Sequence, residues 1–478
     1  MNVILVIVDT LRYDHLGANG GTAQTPHLDR LAGESWVFDR VFIASYPTIP
    51  FRTDVITGRT GGPFHAWQPL AHDTPTFVRA LAEAGRPTQL IHDTPHLVNG
   101  GHNFDWPFHA WTFIRGAEVD RPWIDDRTDG SDNWCRDPLF DVFGEKPTDS
   151  WPQSAAYLAA NRNRKGLDEW NCAKLFAEAA RFCRDNRTRD RFFLWIDSFD
   201  PHEPWDAPPE FVLKYDHTPG YDGRIDPRSF GKRVTPDTPE PVRRRLRAFY
   251  AAKVSWLDHN LGRLLDELDA TGLSRNTAVI LVADHGTNLG EHGLWAKGYP
   301  IRQAVGHIPL MIRCPGAGAG RCDAIAQPQD LTATILALAG VAPHGPLHGH
   351  DLLAVARGGT APPRHLALAG HNAATWRTGQ TLFTAFDGQW LLEVAARPED
   401  SHLSRMGSTD YVEADHPDVV SRLHADALDE VQRRGTHADL MAWLRRGGGG
   451  PLPSRPAFDG WPGPSGYYHY FDRIFMPR

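Results

Sequence analysis

Three short stretches of the sequence carry side chains that could hold a cation and attack a substrate. Asp9 follows one apolar run, Asp284 and His285 follow another, and Thr48 and Arg52 lie in a proline-rich stretch. Carboxylates with one imidazole suit a hard or borderline divalent cation such as Ca²⁺, Mn²⁺ or Mg²⁺, and Zn²⁺ also accepts such ligands. A hydroxyl beside a cation can act as a nucleophile. The residue types therefore indicate metal-assisted nucleophilic chemistry.

The stretch around Thr48 is suited to an anionic substrate. Pro50 is compatible with the first turn of a helix, and we expect it to open one. Thr48 would then lie at the positive end of this helix, where an alkoxide and an anionic substrate are both favoured. Arg52, one turn later, can pair with the Thr48 oxygen or with substrate oxygens. A threonine that merely caps a helix after a proline-rich loop is the structural alternative.

Buried strands are expected to position the acids. Continuous apolar runs rich in β-branched residues are typical of buried parallel strands. The carboxyl ends of such strands form the ligand-binding edge of an open α/β sheet, so acids at these ends should share one edge. Three runs end in this way: 2–8 before Asp9, 192–196 before Asp197, and 278–283 before Asp284.

Helices alternate with these strands and complete the predicted fold. Apolar residues recur at three- and four-residue steps from Leu246 to Leu268, and Asp330 to Leu338 is a shorter helix candidate. The alternation predicts an α/β fold in which a large, doubly wound, mixed or parallel sheet is flanked by helices. We assign this catalytic domain to residues 1–370.

The remainder of the sequence predicts a smaller α+β subdomain over residues 371–478. Residues 380–394 are typical of a hairpin with Asp387-Gly388 at its turn. A helical stretch follows from Pro417 to Leu444, and a Gly/Pro-rich tail ends the chain.

Composition excludes several classes of partner. The net charge of −8 is spread over 478 residues without a basic block, which argues against nucleic acid as a partner. No apolar run approaches the roughly 20 residues of a membrane span, and the first residues lack the basic region of a signal peptide. The five cysteines show no paired spacing, which indicates a reducing compartment. We therefore expect a cytoplasmic enzyme without a membrane partner; a homo-oligomer stays open.

Several motifs, taken in order, resemble those of the sulfatase family of the alkaline phosphatase superfamily. The stretch 45–59, Ser-Tyr-Pro-Thr-Ile-Pro-Phe-Arg to Thr-Gly-Arg, is similar to the sulfatase signature, in which Cys or Ser precedes Pro and Arg. The similarity covers most of residues 1–355. The other similar segments are Val3 to Gly17, Asp200-Pro-His202-Glu-Pro, Asp284-His285-Gly286 with Lys297 after it, and Ile308 to Gly316.

The resemblance implies an alkaline-phosphatase-like fold and a role for each matching residue. Thr48 occupies the position of the covalent nucleophile, and Arg52, His202 and Lys297 would contact substrate or leaving-group oxygens. One divalent cation would be bound by Asp9, Thr48, Asp284 and His285. Thr10 stands where a second acid usually follows the first, and is a further candidate ligand. A two-metal variant would use Asp197, Asp200, His202 and His307.

Thr48 is a departure from the family pattern with chemical consequences. Sulfatases convert the signature Cys or Ser to formylglycine, which expels sulfate by elimination; threonine lacks this route, so no formylglycine is expected. Water must attack the central atom of the intermediate instead, as in superfamily phosphodiesterases with a threonine nucleophile. This favours a small phosphate or phosphonate ester, mono- or diester, as substrate.

Three other functions stay open. The first is a sulfuric ester hydrolase of the arylsulfatase type, the second a catalytically inactive binding protein, and the third a transferase that passes the group to an alcohol. The sequence contains no recognisable code for the natural substrate.

Overall fold

The chain forms two compact units, each assembled from separate stretches of sequence. The structure is a computed structural model that describes residues 1–99, 101–120, 122, 134–151, 154–230, 234–359, 364–377, 379–450 and 452–453. The first unit comprises Met1–Val37, Leu81–Lys297 and Pro309–Gly320, and the second comprises Phe38–Ala80, Gly298–Ile308 and the described residues from Arg321 onward. The predicted boundary near residue 370 stays a prediction, and the predicted tail at 454–478 lies outside the described residues.

The described residues contain fourteen strands, and eight of them form a main sheet that is mostly parallel. The strands are β1 (Asn2–Val8), β2 (Trp36–Val41), β3 (Thr88–His92), β4 (Ala110–Phe113), β5 (Phe193–Ser198), β6 (Thr277–Ala283), β7 (Asn288–Leu289), β8 (Trp295–Ala296), β9 (Leu310–Arg313), β10 (Gly320–Ala326), β11 (Ala367–Ala369), β12 (Phe383–Phe386), β13 (Trp390–Val394) and β14 (His402–Arg405). Eight of them form one sheet in the order β10-β2-β9-β6-β1-β5-β3-β4. β9 is antiparallel to β6, so the sheet is mixed and the predicted α/β class is confirmed.

The register of the three central strands brings their carboxyl ends level. β1 pairs in parallel with β5 and β6, and Val8 lies opposite both Ser198 and Ala283. All residues of these three strands are buried, as their continuous apolar runs predict. The residues that follow β1 and β6, Asp9 and Asp284, therefore leave the sheet side by side.

Thirteen α-helices lie in the described residues, and they include those predicted over 246–268 and 330–338. They are α1 (Pro26–Gly33), α2 (Thr48–Thr57), α3 (Phe77–Glu83), α4 (Pro147–Ser150), α5 (Ser154–Asn161), α6 (Asn171–Asp185), α7 (Pro209–Val212), α8 (Glu240–Ala270), α9 (Gln303–Gly306), α10 (Gln329–Ala339), α11 (Leu352–Ala356), α12 (Pro417–Arg433) and α13 (Ala438–Arg445). The predicted amphipathic helix is α8, which packs against α6. Within the described residues, no helix is both long and apolar enough to span a bilayer.

A four-stranded antiparallel sheet organises the second unit. β11, β12, β13 and β14 are neighbours in sequence order, and the predicted hairpin is confirmed as β12 and β13. Gly388 at its turn has a φ of 97°, a conformation that favours glycine. The predicted helical stretch forms α12 and α13, whose Leu423 and Trp443 belong to the same apolar core as Phe383 and Leu392.

Candidate active site

The predicted cation ligands of the first unit form one buried group. Asp9, Asp284 and His285 are fully buried, and one ligand atom of each lies within 4.8 Å of the others. His285 Nε2 lies 3.8 Å from Asp9 Oδ1 and 3.7 Å from Asp284 Oδ2. Two atoms bound to one cation at about 2.0–2.6 Å are at most about 5 Å apart, so a shared ion fits. In the part of the chain that the structure describes, no second group of three such ligands occurs.

The His285 imidazole is oriented as a metal ligand requires. Its Nδ1 lies 2.8 Å from the Gly286 carbonyl oxygen, which only accepts hydrogen bonds, so Nδ1 carries the proton. The lone pair of the neutral ring is then on Nε2, the atom that faces the two carboxylates. Burial lowers the pKa of His285 to about 4, and the positive charge of the half-buried Lys297 acts in the same direction. The ring is therefore neutral at physiological pH.

The charge of this group also fits a divalent cation. The Asp9 and Asp284 carboxylates are fully buried beside a neutral imidazole and, when ionised, would carry two negative charges. Burying carboxylates is costly unless positive charge compensates them. A divalent cation among these oxygens and the His285 nitrogen would supply that charge, and the ligand set suits Ca²⁺, Mn²⁺, Mg²⁺ or Zn²⁺.

Backbone hydrogen bonds hold the two acids together. The Asp284 amide donates to the Val8 carbonyl at 3.2 Å, and the Thr10 amide donates to Asp284 Oδ1 at 3.0 Å. Thr10 turns the chain away from the strand with a φ of 61°, which is unusual for a β-branched residue. Its hydroxyl is buried and has no hydrogen-bond partner among the described residues, so Thr10 stays a candidate ligand.

Two residues that the sequence did not single out anchor the loops of this site. Tyr250 of α8 donates its hydroxyl to the Thr10 carbonyl at 2.8 Å and accepts from the Arg12 amide at 3.0 Å. The buried Arg12 guanidinium donates to the Thr287 carbonyl at 3.1 Å and forms an ion pair with Glu291 at 2.6 Å. Arg12 thus ties the loop after β1 to the loop after β6. Arg12 lies in the segment Val3 to Gly17 that resembles the family, but no role was predicted for it.

His202 lies in an acidic and aromatic environment. Its ring stacks on Phe199 with centroids 4.2 Å apart, and its Nδ1 lies 2.6 Å from the Glu203 carbonyl oxygen. The carboxylates of Glu203 and Glu118 approach the same nitrogen at 3.3 and 3.5 Å. The Nδ1 proton is therefore held by acceptors, and the ring orientation is fixed by stacking. Neither glutamate was expected from the sequence.

The residues of the predicted second metal site have protein partners. Asp197 accepts hydrogen bonds from the Thr94 hydroxyl at 2.5 Å and the Trp195 indole at 3.1 Å. Asp200 forms an ion pair with Lys253 at 2.9 Å. His307, in the second unit, has its Nε2 2.8 Å from the Asp39 carbonyl oxygen. Such partners compete with a cation, and a second metal site stays a prediction.

Thr48 and Arg52 lie in the first two turns of α2, in the second unit. The helix begins at Thr48 and not at Pro50, because the Phe51 amide already donates to the Pro47 carbonyl at 3.0 Å. The prediction that Pro50 opens the helix is therefore wrong by two residues. Thr48 is fully buried at the positive end of the helix, as predicted, and Arg52 Nη1 donates to the Thr48 carbonyl oxygen at 3.0 Å. The predicted contact of the Thr48 hydroxyl with the cation stays a prediction.

Comparison with known proteins places the chain among sulfatases. The family model described as Sulfatase matches residues 1–341. The iduronate 2-sulfatase of Homo sapiens is 28% identical over 351 residues, which cover 66% of this chain and 60% of that protein. An arylsulfatase of Clostridium perfringens is 26% identical over 341 residues, covering 66% of this chain and 69% of that protein. The chain thus spans less than two thirds of the iduronate 2-sulfatase.

Solved structures share the fold at low sequence identity. A phosphonate monoester hydrolase from Silicibacter pomeroyi matches with a TM-score of 0.69 and 24% identity, covering 91% of this chain and 96% of that chain. The phosphonate monoester hydrolase of Agrobacterium radiobacter matches with a TM-score of 0.67 and 18% identity, with the same coverage. These matches establish a common fold, and the family model covers well over half of the sequence. The chain belongs to the sulfatase family.

Proposed function

We propose that the protein is a metal-dependent ester hydrolase that forms a covalent intermediate on Thr48, with phosphate or phosphonate esters as its preferred substrates. The observation that carries this proposal is the buried group of Asp9, Asp284 and His285, whose facing ligand atoms fit one divalent cation. When bound, the cation would act as a Lewis acid on a substrate oxygen and on a hydroxyl.

Thr48 is the proposed nucleophile, because it combines a hydroxyl, complete burial and a place in the first turn of a helix. Its oxygen forms a bond to the phosphorus while the bond from phosphorus to the leaving oxygen breaks in line. The amide groups at the start of α2 favour the negative charge that develops there. Water then attacks the phosphorus of the phosphothreonine and releases the hydroxyl of Thr48.

The remaining proposed roles concern charge and a proton. Arg52 and Lys297 would stabilise the non-bridging oxygens of the transferred group, since both carry permanent positive charge. His202, as an imidazolium protonated on both ring nitrogens, would deliver the Nε2 proton to the leaving oxygen. Its stacking on Phe199 and its bond to the Glu203 carbonyl would keep that nitrogen directed at the substrate.

Hydrolysis of a sulfate ester is the second candidate function. Family membership favours sulfate esters, because the similar proteins include an iduronate 2-sulfatase and an arylsulfatase. Thr48 favours phosphorus, because the elimination that releases sulfate from formylglycine is closed to a threonine. An inactive binding protein would not need Lys297, His202 and the buried group of Asp9, Asp284 and His285, which together serve the proposed reaction. We call that buried group the metal group.

A substrate panel tests the proposed reaction. The metal-loaded protein should hydrolyse p-nitrophenyl phosphate, its phenylphosphonate or a phosphodiester faster than p-nitrophenyl sulfate. Thr48→Ala should lower kcat by about 10³-fold or more, because the nucleophile is absent. Thr53→Ser, on the same helix, is the matched control and should retain activity. Equal turnover by Thr48→Ala would exclude a threonine intermediate, and turnover of the sulfate ester alone would establish the second candidate.

The location of Thr48 can be tested without turnover. Thr48→Cys, loaded with Co²⁺, should develop a thiolate-to-metal charge-transfer absorption if residue 48 is a ligand of the cation. Thr53→Cys should show no such band. Absence of the band in Thr48→Cys, with one Co²⁺ bound per chain, would remove Thr48 from the ligand set.

A further inference from the structure

The second unit contains a cavity that the proposed reaction does not use. Its volume is 860 Å³, which lies within the range of roughly 300–1,000 Å³ typical of small-molecule sites. Its walls come from the segment that follows α2, from residues 343–348 and from the end of α12. Apolar side chains, among them Phe64, Leu336 and Leu347, form part of the lining. The cavity could therefore hold the body of an organic molecule.

The charged groups of this cavity are all basic. No aspartate or glutamate is found among its described lining residues, although the whole chain carries a net charge of −8. Arg433 and Arg434 share the carboxylate of one acid, Glu430, at 3.1 and 3.3 Å, and Arg59 adds a further guanidinium. Positive charge thus exceeds negative charge at the cavity. The basic lining residues are Arg59, Arg433, Arg434, His65, His344 and His348.

Arg434 is the central group of the lining. Its side chain is only 4% exposed, with Nη2 donating to Gln327 at 3.0 Å and Nε donating to Glu430 at 3.3 Å. Its Nη1 is buried and has no hydrogen-bond partner among the described residues. A buried guanidinium nitrogen without an acceptor is costly, and burial accordingly lowers the pKa of Arg434. An anion in the cavity would stabilise this guanidinium through its charge, without a direct bond to Nη1.

His348 offers a second donor. The Thr60 amide donates to His348 Nδ1 at 3.2 Å, so this nitrogen carries the lone pair. The proton of the neutral ring is therefore on Nε2. Burial lowers the pKa of His348, with Arg59 and Arg434 acting in the same direction, so the neutral donor form is the relevant one. A guanidinium and an imidazole N–H together match the several acceptor oxygens of a tetrahedral anion.

We propose that this cavity is a second binding site, which takes a small organic molecule bearing a phosphate or sulfate group. The His348 ring donates to the oxygens, Arg434 contributes positive charge from the cavity wall and Arg59 from the exposed rim, and the apolar walls hold the organic part. The site needs no cation, and it does not depend on the reaction proposed above.

Titration with inorganic phosphate, and separately with inorganic sulfate, tests this site on the metal-loaded full chain. The readout is the NMR signal of the His348 ring, identified with His348→Asn, because this residue reports on the cavity and not on the metal group. We expect saturable shifts. Arg434→Gln should weaken binding by about threefold or more, as expected for loss of a positive charge from the cavity wall. Chloride at equal ionic strength should leave the signal unchanged.

A milder variant protects the test against misfolding. Arg59 is exposed, so Arg59→Gln should fold normally and weaken binding by about threefold through loss of charge alone. Arg397→Gln, an exposed arginine of the same unit outside the cavity, is the matched control and should bind as the wild type does. In Thr48→Ala, which should not turn over esters, phenyl phosphate and phenyl sulfate should bind more tightly than the inorganic ions, and the tighter of the two identifies the head group. Unshifted His348 signals at saturating anion, or full affinity in both Arg434→Gln and Arg59→Gln, would overturn the proposal.

Discussion

Two charged regions of the protein are built in opposite ways. In the first unit, Asp9 and Asp284 surround the neutral imidazole of His285, and all three side chains are fully buried. In the second unit, the cavity beside Arg434 carries arginines and histidines, and its described lining contains no acid. The first region concentrates negative charge and the second concentrates positive charge.

The difference indicates how each region would meet an anionic molecule. A buried pair of carboxylates repels an anion until a divalent cation reverses the local charge, so recognition there depends on metal. The basic cavity attracts an anion directly, because guanidinium groups keep their charge at every physiological pH. Metal-dependent chemistry and metal-independent binding are thus predicted for separate regions, and each can be perturbed without the other.

The largest loss of activity should follow removal of one carboxylate from the group of Asp9, Asp284 and His285. Asp284→Asn replaces a charged ligand that also accepts the amides of Thr10 and His285 at 3.0 and 2.7 Å. We expect loss of bound metal and a fall in kcat/KM of about 10³-fold or more. Sulfate binding at the cavity, followed through His348, should be unchanged. Metal content by mass spectrometry and steady-state kinetics provide the other two readouts.

Asp266→Asn is the matched control for this change, because Asp266 is an acid of the same unit with 61% of its side chain exposed. It should retain metal and activity. An Asp284→Asn protein that keeps its metal would show that the buried group is not the cation site. Loss of sulfate binding in Asp284→Asn would show that the two regions are coupled, which contradicts the contrast drawn between them.

Burial shifts the pKa of Asp54 in the second unit and of His285 in the first unit in opposite directions, which gives a second comparison of the two units. Burial raises the pKa of Asp54 in α2 to about 7, although Ser45 donates two hydrogen bonds to it and Arg434 acts against the shift. The folded state therefore holds this proton up to about pH 7, whereas the unfolded chain releases it near pH 4. The stability that this group contributes is complete below about pH 4 and is lost as the pH rises to about 7. For His285, whose folded pKa is lowered, stability instead rises with pH between about 4 and 6.5.

Unfolding by urea at pH 5 and pH 8 measures the Asp54 contribution. The stability of the wild type relative to Asp54→Asn should fall between these two values, by at most about 100-fold in the folding equilibrium constant, because about two pH units of linkage are involved. The comparison cancels the His285 contribution, which both proteins share. Asp410→Asn, at an exposed aspartate of the same unit, should show no such change. A pH-independent difference for Asp54→Asn would mean that Asp54 is ionised throughout.

The ligands of the metal group were predictable from sequence because local signals specify them. Asp9 and Asp284 each follow a fully buried apolar run, and parallel pairing in register brings two such ends together. Tyr250 was predicted only as part of an apolar helix face, since periodicity reports burial and not the direction of a hydroxyl. Its bonds to Thr10 and Arg12 depend on the packing of α8, which the sequence pattern does not encode.

The basic cavity was not predictable, for a related reason. Arg59 ends the stretch that resembles the sulfatase signature, whereas Arg434 is far away in sequence, so no pattern indicates that they share a second site. The helix start at Thr48 was also missed by two residues, because Pro47 and Pro50 are both compatible with a helix N-terminus. Strands, the hairpin and the long helix were predicted well, since each depends on a run of residues and not on one contact.

Thr10 offers the smallest but most specific change to the metal group. Thr10 directly follows Asp9 and its amide donates to Asp284 Oδ1, at the position where the resemblance to sulfatases leads us to expect a second acid. Its hydroxyl has no hydrogen-bond partner among the described residues, and the backbone there has a φ of 61°. Asp and Asn tolerate that conformation better than a β-branched residue does. Substitution by either should therefore relieve backbone strain equally.

Thr10→Asp should tighten Mn²⁺ binding by about tenfold, because an added carboxylate increases the charge and number of oxygen ligands. Thr10→Asn, similar in shape and backbone preference, should bind Mn²⁺ about as the wild type does. The added charge has a cost without metal, so Thr10→Asp should melt below Thr10→Asn in the metal-free state and above it when Mn²⁺ is saturating. Identical metal affinities for the two variants would mean that residue 10 does not face the cation, and would leave the negative charge of this region to Asp9 and Asp284 alone.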